Sequence, residues 1–475
     1  GLALAFAGCH NNKTTEGGGS GADTVKVAPA PSFTLTVTED ASFTNLKPLM
    51  SFVFGKLGNE WLMFSGRKNG FHGFGRTQNF PRKKANDSIY VYDAASKKLY
   101  GMPIPIYKGD TSFVFLSTNL QHTQQGMYLF ACGGYGAKPG TTDTVASKTY
   151  SYFMRINLEE AIKAVKGYVS AAGSKTAERI WLQNFKNAIK WGKSRYACAT
   201  GGELFLLPDG NFYCAVGHKF TGTYDATTVK PATQIYVDSV NVFSVQEKNG
   251  ALDITYIRSI TDGLPDSTTQ FRRRDLVVAP SIQANGTDVG LAIYGGVFTY
   301  TPGGIQQNGI PFSHPIYIDY KNTAAPYVLD TSNQWTNIYS AAFMSMYDGA
   351  SKNMMTTTFG GLGDTKTNFA SANWTSVIST NMRSFASGGD TGVTTYVQNP
   401  NALPGYLGTE AVFIPASDVP MYNSNHYKII DYSKVTNGQT IGYIYGGIHS
   451  DSPAPQSAST GTRASSVVYK VVINK

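Results

Sequence analysis

Apolar residues in this chain gather into short, strand-length runs, and six of those runs break off at a glycine that opens a turn. They are WLMFSG at Gly66, YLFACGG at Gly133-Gly134, FYCAVGH at Gly217, LAIYGG at Gly295-Gly296, TTTFGG at Gly360-Gly361 and YIYGG at Gly446-Gly447. Successive first glycines lie 67, 84, 78, 65 and 86 residues apart. That period is too long for a helical solenoid and fits a four-stranded sheet carrying extra loop length. The expected fold is therefore all-β, a six-bladed β-propeller spanning residues 33–475.

The strands around each glycine follow one order. A first strand and a tight turn lead into the glycine-terminated strand, as in LVVAPSIQ-ANGTDV-GLAIYGG (276–296) and KIIDYSKV-TNGQ-TIGYIYGG (428–447), where Asn-Gly supplies the positive φ of a hairpin. An alternating strand follows, such as DSIYVYD (87–93), TYSYFMRI (149–156), QIYVDSVNVFSV (234–245), PIYIDY (315–320) or SSVVYKVVI (465–473). KKLYGMPI and ALDITYIRSI read as fourth, outer strands. Helical spacing of apolar residues in 158–169 and 177–193 predicts a small helical insertion in the second blade, with IWLQNFKNAI as an alternative outer strand. The stretch from Asn368 to Asn425, with PNALPGYLGTEAVFIP, reads as loops and short strands of the fifth blade. The last blade runs out at its third strand, and SFTLTVTED (32–40) stands alone before the first, so this N-terminal strand is expected to close the last blade and leave no open edge.

The double glycine after the second strand and the DSIYVYD-type third strand resemble the kelch family of β-propellers. In two repeats a single glycine stands, followed by Arg67 and by His218. Residues 1–9, GLALAFAGC, are similar to the tail of a bacterial lipoprotein signal peptide, which implies that 1–8 are a signal remnant and that Cys9 is lipidated; the alternative is an ordinary apolar start. The Gly-, Ser-, Thr- and Pro-rich segment 9–32 then acts as a flexible tether. No later stretch approaches the ~18 apolar residues of a membrane-spanning helix. The resemblance implies an outer-membrane lipoprotein on the periplasmic or cell-surface face.

Composition changes this picture little. Fifty glycines, 29 tyrosines and 26 phenylalanines with only 15% charged residues suit aromatic strands joined by glycine turns. The net charge of +9 comes without any long basic run, so nucleic acid is not an expected partner. Cys132, Cys198 and Cys214 sit in apolar stretches without metal-type spacing; a Cys198–Cys214 disulfide stays open, although a hairpin turning at Pro208–Asn211 sets Cys214 opposite Phe205.

In a propeller the loop after each second strand and the loop before each first strand open on one face. That alternation gathers Arg67, Lys68, His72, Arg76, His218, Lys219, His449, the run Arg272, Arg273 and Arg274, and His426. It also brings in Lys138 and Arg195, with Asp110, Asp275, Asp364 and Asp451 as the acids. Phe71, Phe74, Tyr135, Phe220, Phe298 and Tyr300 supply aromatic contacts nearby. Guanidinium forks suit carboxylate or phosphate, so this face is expected to receive an anionic ligand or an acidic partner surface.

Chemistry is less legible. Relatives of the kelch class include copper-radical oxidases and sialic acid mutarotases, yet no Tyr-His ligand pair is present, and neither a metal nor a cofactor is expected. Glu410 and Asp364 are the inward acids, with no second carboxylate at a fixed spacing. The sequence contains no G-x-S-x-G elbow, P-loop, H-E-x-x-H or EF-hand loop. The expected function is a cell-envelope binding or assembly component for an anionic glycan or an outer-membrane protein complex. The alternative is a carbohydrate-active enzyme of epimerase or lyase type acting on acidic sugars.

Overall fold

The computed structural model describes residues 32–475 apart from 74–78, 108, 140–146, 223–231, 300–310, 335–336, 365–372, 386–388, 399–401, 424–426 and 455–459. Half of the chain is strand and 11% is helix. The strands form six sheets. Sheet 1 is Val53–Leu57, Glu60–Phe64, Ser88–Asp93 and Lys98–Pro103, and sheet 2 is Thr118–Gln125, Tyr128–Ala137, Tyr152–Asn157 and Ile189–Lys193. Sheet 3 holds Glu203–Leu206, Phe212–Ala215, Val240–Lys248 and Ala251–Ile260, and sheet 4 holds Val277–Ile282, Val289–Tyr294, Ile316–Ile318 and Tyr327–Leu329. Sheet 5 is built on Ala342–Asp348, Asn353–Asp364, Trp374–Ser384 and Val393–Gln398, and sheet 6 on Tyr406–Pro415, Thr440–Ser450, Val468–Asn474 and Thr34–Glu39.

A separate apolar cluster fills the gap between each sheet and the next. Val53 and Leu62 meet Leu129 and Met154 between sheets 1 and 2. Phe130 and Phe153 meet Phe212 and Phe243 between 2 and 3, and Tyr213 and Val242 meet Leu291 and Ile316 between 3 and 4. Val277 and Tyr294 meet Ala341 and Val393 between 4 and 5, and Met344 and Phe359 meet Ile444 and Val471 between 5 and 6. Tyr445 and Ile414 then meet Trp61 and Phe54, returning to sheet 1. This is a β-propeller arrangement, and five of its blades conform to that geometry. The lone N-terminal strand pairs antiparallel with Val468–Asn474 through six residue pairs, from Thr34↔Asn474 to Glu39↔Tyr469. Gln398 of sheet 5 extends the joint, its amide donating to Leu35 O at 2.5 Å and accepting from Leu35 N at 2.7 Å.

The glycine motif has a backbone cause. Two consecutive residues with positive φ end each second strand: Gly133-Gly134, Gly295-Gly296, Gly360-Gly361 and Gly446-Gly447 in four sheets, Ser65-Gly66 and Val216-Gly217 in the others. Gly66 and Gly217 are thus the second members of their pairs, not the first, and Arg67 and His218 occupy the position of Tyr135 in sheet 2.

Three expectations need correction. KIID does not form the inner strand of sheet 6; that strand is Tyr406–Pro415, and Ile429–Asp431 pairs in parallel with Ser345–Tyr347, on the inner edge of sheet 5. Two apolar stretches competed for one place, and the nearer lost: residues 416–439, which include it, form an insertion between the first two strands of sheet 6. The segment expected to be loops and short strands of the fifth blade supplies the third and outer strands of sheet 5, and its end crosses into sheet 6 as that inner strand. In sheet 3 Cys214 lies opposite Leu204, one residue off the expected register, and Cys132, Cys198 and Cys214 are all free thiols.

The helical insertion is Leu158–Ser170 and Lys175–Asn187. Asn157 caps the first helix by accepting from Glu160 N at 3.2 Å, with Glu159 and Glu160 in its first turn. Leu158, Ala161, Ile162 and Val165 bury against sheets 1 and 2. The outer strand of sheet 2 then follows as Ile189–Lys193.

Candidate functional site

The inner strands of five sheets carry, in or just before them, a residue with positive φ. Ser51, Asn119, Asp275 and Glu410 hold φ of 52°, 54°, 51° and 58°, and Gly201 holds 70°. Glu410 N donates to Ser340 O (3.1 Å), Ser51 N to Glu410 O (3.2 Å), Asn119 N to Ser51 O (3.2 Å) and Asp275 N to Gly201 O (2.6 Å). Thr200 Oγ1 reaches Asn119 O at 3.1 Å. These bonds link sheets 5, 6, 1, 2, 3 and 4 in turn around a common centre. On one side of this ring lies a small recess and on the other a cavity of about 220 Å³; Ser51, Asn119 and Glu410 line both.

The recess collects the residue after the positive-φ pair from four sheets, Arg67, Tyr135, His218 and Ile448, together with Phe71, His72, Phe80, Arg274 and Asp275. Arg67 is only 5% exposed. Its Nε donates to Asn69 Oδ1 (3.1 Å), its Nη2 donates to Pro81 O (3.2 Å), and its guanidinium lies 4.9 Å from the Phe80 ring centre. No carboxylate pairs with it among the described residues. Burial pulls the group down to about 10, which leaves it charged at neutral pH. Arg274 is different: Asp275 Oδ2 lies 2.5 Å from Nη1, and Tyr236 OH is 3.1 Å from Nε.

His72 stacks between Phe71 (4.8 Å) and Phe80 (4.7 Å) and donates from Nδ1 to Gly73 O at 3.1 Å. Burial, assisted by Arg274 and Arg67, pushes it down to about 4. His218 accepts from Gln234 Nε2 at 2.8 Å and is held well below its ordinary value by burial and Arg274. Both imidazoles are neutral at pH 7.

The remaining sequence candidates scatter. Arg273 is fully buried and anchors main chain, donating to Gln270 O (2.6 Å), Gly295 O (3.1 Å) and His314 O (2.6 Å). Arg272 donates to Phe298 O at 3.0 Å and lies 3.8 Å from the Tyr236 ring centre, while Phe298 itself lies under Arg274. The run of three is therefore buried rather than fanned into solvent, and only Arg274 lines the recess. Lys68 pairs with Asp87 (3.2 Å), Lys219 sits half-buried in the strand His218–Thr221, and His449 lies against Gly405 in sheet 6. Cys9, Phe74, Arg76, Tyr300 and His426 lie outside the described residues, as does the side chain of Asp364.

The cavity beyond the ring holds Glu410, which the sequence marked as an inward acid, and three groups that it did not disclose, Glu203, Lys428 and His122. Glu410 accepts from Ser51 Oγ at 2.6 Å, and burial, then repulsion from Asp275, pushes its carboxyl up to about 8. Glu203 reaches about 8 as well, through burial and repulsion from Glu410. Both line the cavity, and both carboxyls keep their protons at neutral pH. Lys428 also lines it, as an exposed residue; desolvation by the surrounding walls draws its ammonium down to about 8, with Lys56 adding repulsion. His122 is pushed down to about 4 by burial and by Lys428. Nothing in ELFL or HYKII marks these residues as facing a common space; only the assembled sheets do. Among the described residues no group of three or more His, Cys, Asp or Glu is arranged to hold a metal.

Fold and site together define the class: a β-propeller whose ring of inner strands separates a polar mouth from an internal cavity. No family model matches the chain, and no curated protein matches it.

Proposed function

We propose that this protein is a binding component of the bacterial cell envelope, a six-bladed kelch-like propeller carried on a lipid anchor at Cys9. The count of six is supported by six apolar clusters in cyclic order and by the series of five hydrogen bonds that joins the inner strands of sheets 5, 6, 1, 2, 3 and 4. Its ligand, in this reading, presents an anionic group to the recess, as an acidic glycan or the acidic surface of an outer-membrane partner. The observation that carries the reading is Arg67. A buried cation is costly unless an anion accompanies it, and here Asn69, Pro81 O and a phenyl ring take its place while Arg274 already has Asp275.

Arg67→Gln is expected to weaken binding of acidic oligosaccharides tenfold or more, the effect of one lost charge-assisted bond of about 1.5–3 kcal/mol. Equal titration curves for the wild type and a folded Arg67→Gln would remove the reading. Cys9→Ser is expected to move the protein from the membrane to the soluble fraction of the producing cells; unchanged partition would remove the anchor.

Glu410 supports a second reading. A carboxyl protonated at neutral pH beside the recess can serve as a general acid, as an epimerase or lyase acting on acidic sugars requires. Turnover of an acidic glycan that disappears in Glu410→Gln would favour it over simple binding.

A further inference from the structure

The cavity on the far side of the ring has phenyl walls. Phe54, Phe343 and Phe413 line it from sheets 1, 5 and 6, each the third residue past Ser51, Ser340 and Glu410 of its own sheet. Phe205 joins them from sheet 3, two residues after Glu203 and so on the same side of its strand. Phe413 is held flat against Phe359, with ring centres 5.7 Å apart and planes at 8°, and Phe54 meets Trp61 edge-on at 5.9 Å. These rings are therefore in place before a ligand arrives. Phe205, Phe343 and Phe413 are only half-buried, which leaves apolar surface facing the cavity.

The polar part of the lining is uncharged at neutral pH. Glu203 and Glu410 are half-buried, and both carboxyls hold their protons there. His122 is neutral, and Lys428, the one lysine or arginine among the described lining residues, is exposed. Glu410 already accepts from Ser51 Oγ at 2.6 Å. Glu203 has no hydrogen-bond partner among the described residues, so its hydroxyl and its carbonyl oxygen both stand open. A carboxyl in this form offers a donor and an acceptor side by side in one plane. Its complement is a flat edge on which an acceptor neighbours a donor, the edge that lactams, amidines and nucleobases carry. Ring systems of that kind also stack on phenyl faces.

We propose that this cavity binds an uncharged planar heteroaromatic compound of nucleobase size, stacked on the phenyl walls and paired edge to edge with the Glu203 carboxyl through two hydrogen bonds. A charged ligand would exchange water for an uncharged lining, and a purely apolar one would leave that carboxyl without a partner. A volume of about 220 Å³ suits one such ring system. This site lies across the ring from the anion recess and stands without it.

Adenine and uracil are the probes, titrated calorimetrically against the full chain at pH 7. Indole, a flat ring system without the paired edge, and methyl β-D-glucopyranoside, an uncharged polyol, are the controls. At least one of the two bases is expected to bind tenfold or more tightly than either control. Glu203→Gln keeps a donor beside an acceptor, so its affinity for that base should stay within about threefold of the wild type. Glu203→Met keeps the length of the side chain and loses both groups, and should bind the base no better than indole. Phe343→Ala should weaken the base and indole alike. No preference for either base over indole in the wild type would overturn the proposal, as would tighter binding of the glucoside. Equal losses in folded Glu203→Gln and Glu203→Met would overturn it too, because the carboxylate charge and not the paired edge would then be what binds. The outcome with Arg67→Gln and acidic oligosaccharides bears only on the recess.

Discussion

Two side chains stand where glycine belongs. Ser65 and Val216 take the first position of their positive-φ pairs, with φ of 58° and 52°, a conformation that costs a side-chain-bearing residue about 1–3 kcal/mol. Both are fully buried, but Ser65 makes only a 3.4 Å contact to Val114 O, whereas Val216 belongs to the core between sheets 3 and 4. Ser65→Gly is therefore expected to raise the melting temperature by the equivalent of about 1 kcal/mol. Val216→Gly should gain nothing, because losing a buried valine costs about 1.5–3 kcal/mol and cancels the relief. Thermal melts of the two variants check this; equal gains would mean that packing at Val216 contributes little. The same residues show what the sequence hid. A glycine requirement can be read from a chain only where glycine answers it, so the pair was legible in four sheets and shifted by one residue in the other two.

Among the elements, the strand Thr34–Glu39 is the joint of the molecule. It buries Leu35 and Val37 between sheets 5 and 6 and covers the edge of Val468–Asn474 with six residue pairs. Two such side chains are worth about 1.5–3 kcal/mol each, against a net stability of about 5–15 kcal/mol for a typical domain, and their loss uncovers a sheet edge. Deleting residues 32–40 is expected to abolish cooperative unfolding and to promote association. A truncated chain with an unchanged, single transition would show that the closure is dispensable. This strand was legible because it alternates and had no neighbour in sequence. The inner strand of sheet 6 was not, because KIID offers a short apolar run next to a good turn, and only the three-dimensional register decides between the two. Arg272, Arg273 and Arg274 were misread for a related reason: the composition of a loop does not say which of its side chains the fold takes inside.

At the scale of the whole molecule, the cavity acids set a pH dependence. In the unfolded chain Glu203 and Glu410 release their protons near the ordinary 4.5; in the folded protein they hold them to about 8. The folded state therefore binds more protons between pH 4.5 and 8, and stability falls as pH rises through that window, by about 1.4 kcal/mol for each unit of displacement at most. Lys428, drawn down from 10.5 to about 8, acts in the opposite sense between pH 8 and 10.5. Melting temperatures from pH 5 to 8 should decline less steeply in Glu203→Gln than in the wild type, the two curves lying closest at pH 5. Parallel curves would mean that Glu203 ionises freely in the folded state. The mouth of this site was largely legible, since Arg67, His72, His218 and Arg274 follow from loop alternation alone. Its interior was legible only at Glu410; Glu203, a single glutamate in ELFL, carries no signal until the sheets are set around their axis.

The pairing of residue 34 with residue 474 also fixes an order of events. A ribosome delivers the first of these long before the second, so the opening strand must wait without its partner while the body of the chain is made. Completion of the ring must thereby await the end of synthesis, and a chain that stops before residue 468 cannot perform it.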